Sequence, residues 1–136
     1  MNTFSLTIVT PDGLQFEGQA EELIVRAVSG DLGILAGHIN TVAPLGMGMA
    51  VVKTGGEKRY GACIGGMVSV LDGAVRLVPT TFEWAESIDT ARAQLSEDRA
   101  KNILADKNSS QTDIRLAEAR LKRALIRQSV AAYKPR

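Results

Sequence analysis

Asp89 and Arg92 are an acid and a base three residues apart, within the run Ile88-Asp89-Thr90-Ala91-Arg92-Ala93. That spacing sets both side chains on one face of a helix. Among the further arginines in the same half of the chain are Arg99, seven residues beyond Arg92 and so on the same face, and Arg123 and Arg127, four apart on a second helical stretch. Guanidinium groups grip phosphate oxygens through a planar fork of N–H donors. If the two helices close on each other, Arg123 and Arg127 are placed to take phosphates, and Asp89, Arg92 and the nearby Glu83 to hydrogen-bond a base or ribose. Like charges at i,i+4 cost about 0.2–0.5 kcal/mol when unpaired. Such a pair is either an ordinary solvated face or an anion site.

Other chemistry finds little support. With one histidine, one cysteine and no cluster of ligand-type residues, neither a metal site nor a Cys-His pair is indicated. No GxxxxGK[ST] phosphate loop occurs, and Gly46-Met47-Gly48 lacks the third glycine and the helix of a dinucleotide fingerprint. A hydrolase or oxidoreductase active site is therefore not expected, and no residue is assigned as catalytic. His38 follows a glycine-rich turn and reads as a structural or interface residue. Cys63 sits in an apolar strand pattern and reads as a small buried hydrophobe. One cysteine excludes an internal disulfide, which fits a reducing, cytosolic compartment.

The elements that must position these residues change character once along the chain. All 13 glycines fall at or before Gly73, and no proline occurs between Pro79 and Pro135. In the first part, Phe4, Leu6 and Ile8 alternate with polar residues as in a strand with one buried face. Pro11-Asp12-Gly13 makes a turn, and strands are expected over Leu14–Gly18 and Glu22–Val28. Gly30-Asp31-Leu32-Gly33-Ile34-Leu35-Ala36-Gly37-His38 reads as a tight loop, a short strand and another turn. Further strands are expected over 41–45, 47–52, 59–64, 67–71 and 74–78. Gly55-Gly56 and Asp72-Gly73 are the hairpin turns, because they tolerate the positive φ that two-residue loops require. Many short strands with turns between them and no helix-length crossover indicate an antiparallel β-sandwich or barrel over residues 1–84.

Residues 85–136 read as an antiparallel two-helix hairpin. Ser87 is the expected N-cap of a first helix, with Asp89 in its first turn and an end near Ala105. Ser110 or Thr112 caps a second, with Asp113 in its first turn, running to about Tyr133. The expected contact stripes are Ile88, Ala91, Leu95 and Asn102 on the first helix, and Ile114, Ala117, Leu121, Ala124 or Leu125, and Gln128 on the second. Alanine-rich stripes bury little area, so at ~25 cal/mol per Å2 the hairpin is only marginally stable alone.

Charge separates the halves as well. Residues 1–86 carry 5 basic and 9 acidic side chains and residues 87–136 carry 11 and 6, within an overall net charge of +1. A basic helical module calls for an anionic partner, such as an acidic protein surface, a nucleotide or a nucleic acid. With 4% aromatic residues and no basic surface on the β module, the stacking platform of a nucleic-acid binder is missing. The first residues make no signal peptide, and no window reaches the ~18 uninterrupted apolar residues of a membrane span.

Taken in order, Ile8-Val9-Thr10-Pro11-Asp12-Gly13, the Gly30–His38 segment, Gly65-Gly66 and Ile88-Asp89-Thr90-Ala91-Arg92-Ala93 resemble the epsilon subunit family of bacterial F-type ATP synthase, the mitochondrial delta equivalent, over essentially the whole chain. The resemblance implies a non-catalytic subunit of the rotary central stalk, peripheral to the cytoplasmic face of the cell membrane and attached only through the complex. Its β module would dock on the gamma subunit and the ring of c subunits, with Asp31 and His38 at the interface. Its hairpin would inhibit ATP hydrolysis by reaching toward an acidic surface of the beta subunit. The resemblance also implies ATP as a regulatory ligand favouring the compact hairpin, held by Glu83, Ile88, Asp89, Arg92, Ala93, Arg99, Arg123 and Arg127, with no obligatory cofactor, no metal and no nucleic acid. Ala36 departs from the proline common in the family, and Trp84 is bulkier than usual. The alternative is a purely structural coupling subunit whose hairpin is permanently docked and indifferent to nucleotide.

Overall fold

A computed structural model describes residues 2–135 and contains ten strands followed by two α-helices. They fall into two compact units, one up to Trp84 and one from Ala85 onward. The first is a sandwich of two five-stranded sheets. One sheet has the order β2 (Gly13–Ala20), β1 (Phe4–Thr10), β9 (Ala74–Val78), β8 (Met67–Leu71), β5 (Thr41–Pro44), and the other β10 (Thr81–Trp84), β7 (Glu57–Ile64), β6 (Met47–Thr54), β3 (Glu22–Ala27), β4 (Gly30–Leu35). All pairings are antiparallel except that of β1 with β9, which run parallel with Leu6 opposite Val75. The alternation read in β1 is real: Phe4, Leu6, Ile8 and Thr10 are buried, and the residues between them face outward. Leu23, Val25, Ile34, Val52, Val68 and Leu77 complete the centre of the core between the sheets.

Turn chemistry sets the register. Asp72 and Gly73 have φ of 49° and 84°, and Gly55 and Gly56 have 59° and 79°. These are the left-handed values that join twisted antiparallel strands in two residues. The Gly30–His38 segment corrects one expectation. The strand begins at Gly30, directly after the two-residue Val28-Ser29 turn and with no longer loop ahead of it, and Gly33 lies opposite Ile24. A glycine on an edge strand need not mark a turn. The second strand also extends past Gly18 to Ala20, and β10, whose Thr81-Phe82-Glu83-Trp84 alternation is short but strand-like, pairs with β7 without having been expected.

Trp84 closes one end of the sandwich. Between Ile8 and Val9 the β1–β2 register slips, so that Phe16 opposes Ile8 and Leu14 opposes Val9. Gln15 is left over as a bulge, and its freed carbonyl must find another donor. Trp84 Nε1 supplies it at 3.2 Å. The indole also meets Phe82 edge-on with ring centres 4.8 Å apart, and the Arg59 guanidinium lies 3.7 Å from its centre. Here the large side chain fills space and pairs a backbone group, which accounts for a tryptophan at this position. Cys63 is buried, and burial pushes its thiol up to about 12, so it behaves as the small hydrophobe expected.

Gly66 is the least replaceable turn residue. Its φ is +95°, and a Cβ there would stand 2.0 Å from the Val78 carbonyl oxygen. Gly66→Ala should therefore cost ~3 kcal/mol or more in urea unfolding, from left-handed strain together with a backbone clash. Gly73→Ala has open space around it and should cost only the strain.

Candidate functional site

The helical unit opens with a single 3-10 turn, Ala85–Ser87, followed by α1 (Thr90–Ala105) and α2 (Gln111–Ala131). The N-cap of α1 is Asp89, not Ser87: the backbone at Asp89 is extended, and its Oδ1 accepts from the Arg92 N–H at 3.0 Å. The acid and base three residues apart are thus joined through backbone, with the carboxylate stabilised by the positive end of the helix dipole. The expected cap at Ser87 lies two residues too early because two cap-type residues stand close together, with Ile88 buried between them. At α2 the capping box is complete: Ser110 Oγ accepts from the Asp113 N–H and Asp113 Oδ2 accepts from the Ser110 N–H.

The helices pack along Ala93, Glu97 and Ala100 of α1 and Ala117 and Ala124 of α2, all buried. The expected α2 stripe agrees at Ala117 and Ala124, while Ile114, Leu121 and Gln128 are half-buried and Leu125 is exposed. On α1 the expectation was displaced by about half a turn: Ala91, Leu95 and Asn102 face outward. The physical reason is Glu97. A glutamate inside a contact stripe breaks the hydrophobic pattern, so the sequence favours the neighbouring face that carries a leucine.

Glu97 is only 8% exposed and is fully partnered. Gln128 Nε2 donates to its Oε1 across the helix pair at 2.7 Å, and Lys101 Nζ pairs with its Oε2 one turn along α1. The Lys101 hydrogen bond, and then the Gln128 one, hold the carboxyl below the usual glutamate range, and the same bond raises Lys101. At the open end of the hairpin Lys134 Nζ donates to the Ile88 carbonyl at 3.1 Å. With Gln128 reaching Glu97 and Lys134 reaching Ile88, the last turns of α2 lie beside the first turns of α1.

That pairing locates most of the expected ligand residues. Asp89 and Arg92 are exposed at the start of α1, while Ile88 and Ala93 are buried and have only backbone to offer a ligand. Arg127, next to Gln128, belongs to the part of α2 that meets this end, and Arg123 lies one turn nearer the loop; both are half-buried. Arg99 is exposed two turns along α1. Glu83 belongs to the sandwich, half-buried on β10 opposite Ala62. The hairpin thus gathers Asp89, Arg92 and Arg127 at one end, with Arg123 and Arg99 progressively farther along. Glu97 and Gln128 are the residues the search for charge clusters passed over, although the i,i+4 spacing of Glu97 and Lys101 was visible.

Asp31 and His38 do not form one site. Asp31 lies near the start of β4, exposed and ion-paired with Arg26 at 3.1 Å. His38 follows the other end of the strand, with Nδ1 2.8 Å from the Ile39 carbonyl oxygen. Around His38 the chain is clamped to the β8–β9 turn, where the Asp72 N–H donates to Asn40 Oδ1 at 2.8 Å and Asn40 Nδ2 to Asp72 Oδ1. On these segments Leu35, Ile39, Val42 and Leu71 are exposed, Ile39 at 78%. A group of large apolar side chains left in solvent marks a docking surface. Among the described residues, no cluster of histidine, cysteine, aspartate or glutamate could hold a metal ion.

Family models for the β-sandwich domain and the long α-helix domain of the ATP synthase delta/epsilon chain match residues 3–85 and 86–132. The chain belongs to the ATP synthase delta/epsilon family. An ATP synthase epsilon chain from Bacillus velezensis is 46% identical over 131 residues, which cover 96% of this chain and 98% of the relative. One from Bacillus cytotoxicus is 43% identical over 134 residues, covering 98% and 100%. Among solved structures, a chain in the cryo-EM structure of the Euglena gracilis mitochondrial ATP synthase OSCP/F1/c-ring superposes with a TM-score of 0.82 at 23% identity, over 98% of this chain and 83% of that one. At that identity the likeness is one of fold. The delta/epsilon family's two-module plan is therefore present from end to end.

Two measurements probe the site. Asp89→Ala should destabilise the start of α1 by about 1 kcal/mol, while Asp89→Asn, an equally good cap, should leave it intact; amide exchange in the first turns of α1 reads the difference. Because its folded value is depressed, Glu97 contributes stability above the ordinary glutamate range of ~4.3 and loses it as pH falls through the folded value. A carbon-13 titration should find its midpoint below that range, and Lys101→Met should move it back up.

Proposed function

We propose that this chain is the central-stalk subunit of a rotary F-type ATP synthase, and that its helical hairpin regulates ATP hydrolysis by the complex. The sandwich is the docking module, with the apolar ledge around His38 and the exposed edge at Asp31 meeting the gamma subunit and the c ring. Its place is peripheral, on the cytoplasmic face of the cell membrane. Association runs through the complex, since no helix of the described residues is long and apolar enough to cross a bilayer.

The regulatory part rests on one observation: a hairpin closed by an alanine seam that brings Asp89 and Arg92 on α1 to the same end as Arg127 on α2. The residues fit a nucleotide. Arg123 and Arg127 suit phosphates through their planar donors, with Arg92 and Arg99 adding positive charge. Asp89 can accept from ribose hydroxyls or the adenine amino group, and Ile88 and Ala93 provide backbone. Only the closed hairpin gathers these groups, so ATP shifts the balance by its differential affinity. A thousandfold preference is worth ~4 kcal/mol. When the hairpin opens, the basic α2 becomes available to an acidic surface of the beta subunit.

A second reading draws on the cross-helix bond between Gln128 and Glu97, which closes the hairpin through the protein's own side chains. It makes the chain a purely structural coupling subunit whose hairpin stays docked. Calorimetric titration of ATP into the full chain separates the two. The regulatory reading expects saturable binding in the millimolar range or tighter, abolished by Arg127→Ala and weakened by Asp89→Asn, which keeps the cap. Deleting residues 87–136 should also raise ATP hydrolysis by the reconstituted complex severalfold. Absence of binding refutes the nucleotide role, and unchanged hydrolysis on deletion refutes the inhibitory one.

A further inference from the structure

Glu97 is a charged residue where the packing alone would favour an apolar one. The seam around it is made of Ala93, Ala100, Ala117 and Ala124, which bury little area each. Its carboxylate is withdrawn from water, accepts the 2.7 Å hydrogen bond of Gln128 from the other helix, and is neutralised by Lys101. Within a seam this thin, one charge-assisted hydrogen bond rivals the apolar contacts. Separating the helices would return all three side chains to water, so the bond belongs to the closed state alone.

We propose that Glu97 and Gln128 form a polar latch that holds the hairpin closed, and that the charge at position 128 sets whether it opens. This inference rests on the hairpin being the movable element described above, but the latch needs no nucleotide. Latch closure is governed by complementarity: an amide or a cation at 128 pairs with the Glu97 carboxylate, whereas an acid there repels it. The other charged groups around Glu97 are Lys101 and Asp98 on α1 and the half-buried Arg123 and Arg127 on the turns of α2 near Gln128. A carboxylate at 128 would set a second negative charge against Glu97 across the helix pair, and such a pair closes by sharing a proton.

Closure is measurable on the full chain by spin labels at Ala91→Cys and Ala132→Cys, both exposed positions near the open end of the hairpin. Cys63 is buried with its thiol pushed up to about 12, so it stays unlabelled. The unmodified latch and Gln128→Lys should each give one short interlabel distance. Gln128→Glu should give long, broad distances at neutral pH that shorten as pH falls through the carboxylate range. Trp84 fluorescence should stay constant throughout, reporting a folded sandwich. A short distance in Gln128→Glu at neutral pH, or long distances in Gln128→Lys, would overturn the latch. If the charge series behaves as described while ATP leaves every distance unchanged, the latch stands and the nucleotide role fails. If ATP shortens the distance but the charge series has no effect, the latch fails and the nucleotide role stands.

Discussion

Alanine at the contact between α1 and α2 is the constraint from which the second module follows. Ala93, Ala100, Ala117 and Ala124 let two helix backbones approach closely, but each contributes only a methyl group to the buried surface. A leucine seam would hold the helices by area. This one depends on a few directional bonds: Gln128 to Glu97 across the pair, Lys134 to Ile88 at the open end, and caps at Asp89 and Ser110. Directional bonds are worth most when every partner is present and little once one is lost. A hairpin built this way is shut or open, with few intermediate states, which suits an element that responds to its surroundings.

The sandwich is stabilised on the opposite principle. Its core is filled by branched and aromatic side chains from both sheets, fully buried along β1, β3 and β9. The one irregularity in its ladder, the bulge at Gln15, is satisfied by Trp84. Strength is spread over many contacts, so the module keeps its shape. The Asn40–Asp72 clamp extends that rigidity to the loop bearing His38 and Ile39. One chain thus joins a stiff module to a loosely held one.

The fold was legible in the residues to a large extent, and the candidate site in part. Strand alternation, the Asp72-Gly73 and Gly55-Gly56 turns and the loss of glycine after Gly73 are local signals, each set by backbone sterics within a few residues. The two helices and the capping box at Ser110 are local for the same reason. The arginines at 92, 99, 123 and 127 were visible as charges at helical spacing. That Arg92 and Arg127 share an end of the hairpin depends on helix register, which no short window contains.

What the sequence by itself determined was therefore the identity of the elements and the chemistry of their side chains, down to the acid and base at Asp89 and Arg92. Tertiary structure alone decided which face of α1 is inside. It turned that stripe through Ala93, Glu97 and Ala100 because a glutamate becomes tolerable in a contact only when Gln128 arrives from a helix some thirty residues away. It likewise sent β1 parallel to β9 and gave Trp84 the stray carbonyl of Gln15. Each of these depends on a partner distant in the chain, and desolvation makes such partners matter: a polar group out of water must find one wherever the fold provides it.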